Sequence, residues 1–180
     1  ALSKLTRSHW GMVLGHVGFA VMLIGITLVS NYEQERDVRM LPGETVQLGG
    51  YDFLFTGVKQ VEGPNYSADV GVFDVFEDGD FVVHLEPEKR SYPVQRTTMT
   101  EAGIHATITR DLFIALGEPL EGDAWAVRVY IKPFVVWIWA GAFIMALGGA
   151  ISIADKRYRL NKVARKSIKA GQADPVIPAE

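Results

Sequence analysis

His16 is the residue whose type and position most invite chemistry. It sits in Trp10–Ser30, a run of 21 residues without Asp, Glu, Lys or Arg. It lies six residues from Trp10, about 9 Å along a helix. An ionisable side chain at that depth in an apolar run is a functional candidate by default. Two chemistries suit it: a neutral imidazole as axial ligand to haem iron, or a hydrogen bond to another membrane helix. The other histidines invite less. His9, one heptad away beside Arg7 and Trp10, reads as an interfacial polar residue. His84 and His105 fall on expected strands with no metal-ligand spacing around them, and His84 keeps a small part as a ligand contact. The sequence has no cysteine, which excludes disulfides, a thiol nucleophile, a thiolate metal site and a C-x-x-C-H haem attachment sequence within the chain. There is no phosphate loop, no persuasive carboxylate pair and no Ser/His/Asp order, so no catalytic residue is assigned.

The helix that must position His16 has two faces. At 100° per residue, Gly11, Gly15, Gly18 and Gly25 fall within about 80° of one another with Met22. They form a small-residue packing face on which Gly11-x-x-x-Gly15 has the usual spacing for close helix approach. His16 points about 140° away from Gly11, on a face shared with His9, Phe19, Leu23, Thr27 and Ser30. A helix with two contact faces belongs in a multi-helix bundle, and this chain supplies few helices for one. Its second apolar run is Phe134–Ala154, again 21 residues free of Asp, Glu, Lys and Arg. Each run is long enough to cross a bilayer, which takes roughly 20 residues. A signal peptide would explain only the first. Trp137 and Trp139 supply an aromatic belt to the second.

Charge sets the expected topology. Lys4 and Arg7 precede the first run, and a basic stretch from Lys156 to Lys169 follows the second. Basic flanks stay cytoplasmic. The expected organisation is therefore a cytoplasmic flank (1–9), a transmembrane helix (10–30), an extracytoplasmic β-rich domain (31–132), a second transmembrane helix (133–154) and a cytoplasmic basic tail (155–180). The fold class is a membrane α + β protein, its β domain a small barrel or a sandwich. That domain carries 18 acidic and nine basic side chains, which argues against nucleic acid. Strands are expected at 45–48, 51–56, 70–76, 81–85, 91–97, 105–109 and 125–131. A hairpin turn is expected at Glu77-Asp78-Gly79-Asp80, and one helical turn over Asp111–Leu116. With no initiator Met, the chain is expected to be the C-terminal portion of a longer protein or a subunit of a split one.

Several stretches, in order, carry a resemblance. They are Trp10-Gly11-Met12 with His16 and Gly18, Glu35-Arg36-Asp37-Val38-Arg39-Met40, Gly63-Pro64-Asn65-Tyr66 and Met99-Thr100-Glu101-Ala102. Ile108-Thr109-Arg110-Asp111-Leu112, Trp125-Ala126-Val127-Arg128 and Trp137-Ile138-Trp139-Ala140-Gly141 follow. Over roughly residues 5–160 the chain resembles the C-terminal part of the CcmF family, with NrfE a close relative. That family is the haem lyase subunit of bacterial cytochrome c maturation. The resemblance implies attachment of haem to apocytochrome c at the periplasmic face of the inner membrane. It also implies a membrane haem b held by two histidines. One of them matches His16 as an axial ligand of the haem iron, and the second lies outside this chain. Implied partners are the N-terminal remainder of the haem lyase, the haem chaperone CcmE, apocytochrome c, CcmH and membrane lipids.

The departures limit the expectation. The tryptophan-rich WWD segment and the two external haem-binding histidines are absent, so the chain alone is not expected to be a complete lyase. The competing reading is a cofactor-free, membrane-anchored assembly scaffold whose β domain binds a partner. A transporter is set aside, because only His16 is ionisable within either run and neither is broken by Pro.

Overall fold

A computed structural model describes residues 6–155 of the chain. Helix α1 runs over Arg7–Tyr32, and Thr6 opens it as an N-cap, its Oγ1 accepting from the backbone N–H of His9 at 3.2 Å. Ten strands follow: β1 Gln34–Met40, β2 Thr45–Leu48, β3 Tyr51–Glu62, β4 Ser67–Glu77, β5 Asp80–Leu85, β6 Glu88–Tyr92, β7 Thr97–Glu101, β8 Gly103–Ala106, β9 Arg110–Pro119 and β10 Trp125–Pro133. Helix α2, Val135–Ile153, ends the described chain. Both helices are long and apolar enough to cross a membrane. The basic residues from Lys156 onward, and Lys4, lie outside the described residues.

The strands form two antiparallel sheets. One has the order β1-β10-β9-β8; the other has the order β2-β3-β4-β6-β7, with β5 also paired to β4. Alternation decides their inner faces. Tyr51, Phe53 and Phe55 of β3 and Phe73 and Val75 of β4 are buried from one sheet. Leu112, Ile114 and Leu116 of β9 and Val127, Val129 and Ile131 of β10 are buried from the other. Phe55 and Phe73 stack with ring centroids 4.8 Å apart. The result is a sandwich around one apolar core.

The β1–β10 pairing places the chain's two exits from the sandwich side by side. Gln34 pairs with Ile131 at the end where α1 leads in and α2 leads out, and Lys132 bridges to Glu33 at 3.0 Å. The chain turns from β10 into α2 at Phe134, whose φ of 57° is the left-handed region that a non-glycine residue adopts only when held there.

The hairpin at Asp78-Gly79 forms as expected, with φ of 52° and 88° matching the turn that suits a two-residue connection. Three expectations need correction. Asp111–Leu116 is part of β9, not a helical turn, because it is paired to β10 throughout and, over Asp111–Ile114, to β8 as well. Residues 91–97 are not one strand. The chain folds back at residues 93–96, where Pro93 removes a ladder donor and Arg96 has a φ of 52°. The strand expected at 105–109 is instead β8, shifted to Gly103–Ala106. Strand β1 was not expected at all.

Candidate functional site

His16 stands about a third of the way along α1. Its Nδ1 lies 2.8 Å from the carbonyl oxygen of Met12, one turn earlier. A carbonyl only accepts, so Nδ1 carries a proton, and in the neutral ring Nε2 keeps its lone pair. A backbone carbonyl on the far ring nitrogen is how metal-binding imidazoles are commonly oriented. The side chain is exposed in the chain by itself, as are its neighbours on that face Met12, Phe19 and Leu23. Ionisable side chains within a span almost always face a bundle interior or pair with another polar group.

The packing face of α1 lies elsewhere. Gly11 and Gly18 are buried. A Cβ at Gly11 would sit 2.5 Å from the carbonyl oxygen of Gly148, and one at Gly18 would sit 2.6 Å from the amide nitrogen of Met145. On α2, a Cβ at Gly141 would meet the carbonyl oxygen of Gly18 at 2.6 Å. Further along α1, Gly25 is also buried, with Ile138 the nearest obstacle at 3.0 Å. The seam carries Gly11, Gly18 and Gly25 at seven-residue spacing, and Gly148 of α2 sits over the Gly11–Gly15 pair, where its Cβ would meet the Gly11 carbonyl oxygen at 2.6 Å and the Gly15 amide nitrogen at 2.7 Å. A Cβ at Gly15 would meet nothing within 4 Å, which leaves open space beside His16. Near the start of α1, the carboxylate of Asp155 accepts from the amide of Ser8 at 3.0 Å. It caps one helix from the end of the other, a bond that residue types alone do not signal.

These residues fit one side of a haem. They offer an oriented imidazole with a free lone pair, open space at Gly15, and apolar Met12, Phe19 and Leu23 to face a porphyrin. Among the described residues, no three His, Cys, Asp or Glu side chains gather into a metal site.

The remaining histidines sit in other settings. His84 lies between Asp74 (Nδ1 to Oδ1, 2.7 Å) and Glu86 (Nε2 to Oε1, 3.3 Å). The bond to Asp74 does most to raise its pKa, burial opposes it, and the bond to Glu86 adds to the rise. Both ring nitrogens are engaged, so the imidazole serves the sheet surface. His105 is opposite Leu112 in the β8–β9 ladder. On the outer face of the β1-β10-β9 sheet, a cleft of about 570 Å³ has Ala115, Gly117 and Ala126 among its lining and Arg39, Thr100, Leu120 and Tyr130 around them. Across it, Arg128 forks onto both carboxylate oxygens of Asp37. Neither this pair nor the cleft announced itself in the sequence, because β1 was not foreseen.

Comparison with known proteins places this geometry. Residues 31–133 match the family described as the CcmF C-terminal beta-sandwich. The cytochrome c-type biogenesis protein CcmF of Pseudomonas aeruginosa is 59% identical over 90% of this chain and 25% of its own length. That of Escherichia coli is 52% identical over 87% of this chain and 24% of its own. The cytochrome c-type biogenesis protein NrfE of Haemophilus influenzae is 34% identical over 88% and 25%. The chain thus spans about a quarter of the length of the curated relatives it matches. A solved structure titled Cytochrome c Heme Lyase CcmF shares the fold, with a TM-score of 0.68 over 82% of this chain and 25% of that one, at 20% identity.

Proposed function

This chain belongs to the CcmF family, and on that premise we propose that it serves cytochrome c biogenesis as a membrane component of a haem lyase in which His16 is one axial ligand of a haem b. The observation that carries the reading is the Nδ1 bond to the Met12 carbonyl. It fixes the tautomer and reserves Nε2 for an iron, on a face of α1 that stands exposed. When bound, a haem held by two imidazoles passes single electrons. The second imidazole comes from the N-terminal remainder of the lyase. Within this chain, Met12 orients the ring, and Gly11 and Gly18 hold α1 against α2 so that the His16 face turns outward.

The topology belongs to the proposal too. The spans lie in a bacterial inner membrane with both termini cytoplasmic and the sandwich periplasmic, supported by the basic flanks and the acidic middle segment. The sandwich is where CcmE, apocytochrome c or CcmH would dock. The chain attaches haem only together with the rest of the lyase.

The completed sandwich core and its open cleft favour one second reading, a cofactor-free scaffold that only binds partners. A spectrum separates the two. The chain is co-expressed with the N-terminal remainder, the complex is purified, and a reduced-minus-oxidised spectrum is taken with and without His16→Ala. A b-type band that vanishes in an assembled variant complex supports ligation. An unchanged band, or none in either sample, leaves the scaffold.

A further inference from the structure

The turn between β8 and β9 offers a surface that neither sandwich nor helices use. Ile108 at its tip is 74% exposed. Around it the backbone is tied down. The Thr107 amide donates to the Arg110 carbonyl at 3.0 Å, and its Oγ1 to the same oxygen at 2.5 Å. Asp111 Oδ1 also accepts from the Thr107 amide, at 3.2 Å. Arg110 is itself fixed by Glu77, at 2.8 and 2.9 Å, and by the Tyr51 ring beneath its guanidinium, 4.4 Å from the centroid.

Two more bonds tie the turn to the start of α2. The Phe134 amide donates to the Thr109 carbonyl at 2.9 Å, and Trp137 Nε1 donates to the Ile108 carbonyl at 3.2 Å. Trp137 is two residues beyond the first residue of α2, about 3 Å along the axis. A tryptophan there, apolar body inward and N–H on a polar partner, is an interfacial anchor. Its partner is this turn, so the turn lies at the depth where α2 enters the bilayer. The Thr107 and Arg110 amides and the Ile108, Thr109 and Arg110 carbonyls have partners within the protein, which suits apolar surroundings. The side chain it presents is a bare isoleucine.

We infer that the β8–β9 turn is a membrane-contacting foot, with Ile108 inserted at the boundary between headgroups and acyl chains beside Trp137 and Phe134. The occupant of this surface is lipid, because the surface is continuous with that of a membrane span. The foot supplies the β domain with a third contact to the bilayer besides its two helices and restrains its tilt. It does not depend on any haem.

Because the chain has no cysteine, Ile108→Cys gives a single thiol for an environment-sensitive fluorophore such as nitrobenzoxadiazole. The full chain is reconstituted in phosphatidylethanolamine–phosphatidylglycerol vesicles with and without brominated acyl chains. Val94→Cys, 85% exposed on the β6–β7 hairpin, is the comparison. A foot in lipid shifts the probe at 108 to the blue and lets bromine quench it, while the probe at 94 stays as in water. A probe at 108 with water-like emission overturns the proposal. So does one shielded from water but untouched by bromine, since that means protein covers it.

Discussion

The β-sandwich and the helix pair solve opposite problems. In the sandwich, two sheets bury their alternate residues against each other, and Phe53, Phe55, Phe73 and Ile114 have no exposed surface left. Some of its surface charges pair with one another, as in Arg110 with Glu77 and Arg128 with Asp37. In each helix only 11% of the most apolar window is buried. Two glycine-lined helices satisfy one seam and leave the His16 face open. The sandwich is therefore a finished domain, while the helices keep an open apolar face. Function that needs a further group belongs on the unfinished part.

The comparison breaks most visibly if the sandwich is hollowed. Phe55→Ala removes a ring stacked on Phe73 in the centre of the core. It is expected to cost about 3–5 kcal/mol, read as a fall in the denaturant midpoint of the β-domain transition. If the sandwich is self-sufficient, the helical signal of the membrane-embedded chain survives that loss.

The helix seam gives the next effect. Gly18→Leu drives a side chain into the backbone of Met145 and Gly141, an overpacking expected to cost about 1–3 kcal/mol and visible as a lower Tm in detergent. A Cβ at Gly15 meets nothing within 4 Å, so Gly15→Leu is expected to leave that Tm unmoved. In the assembled complex it is expected to lower haem content, because the space beside His16 is filled. Equal Tm losses for the two variants would erase the distinction between the closed and the open face.

The smallest effect sharpens the picture of the sandwich surface. Asp74 and Glu86 raise the pKa of His84 above its ordinary 6.5. The stabilisation is therefore complete below about pH 6.5 and is lost as pH rises through the raised value. The Tm of the parent chain is expected to exceed that of His84→Gln at mildly acid pH, with the gap closing by mildly alkaline pH. Because the cluster is exposed, the gap is small.

Much of this contrast is legible in the residues. Charge-free runs of 21 residues reveal the spans, Asp78-Gly79 reveals a hairpin, and the alternation of Val127, Val129 and Ile131 reveals an inner face. What escapes is decided by partners far away in sequence. Gln34–Met40 reads as a charged loop, since its burial begins only at Val38 and Met40; it becomes a strand by pairing along β10. Asp111–Leu116 has good helix formers, but its ladders to β10 and β8 override that preference. The candidate site divides likewise. His16 stands out by its depth in an apolar run. The carbonyl that fixes its tautomer, and the glycines that turn it outward, are legible only once the helix is built and paired.

The most direct test removes the side chain of the proposed ligand. His16→Gly, in the complex with the N-terminal remainder, is expected to lose the b-type band in the reduced-minus-oxidised spectrum. Added imidazole, free to occupy the vacated position, is expected to restore it. A band that persists in His16→Gly without imidazole would contradict the assignment of His16 as the ligand this chain contributes.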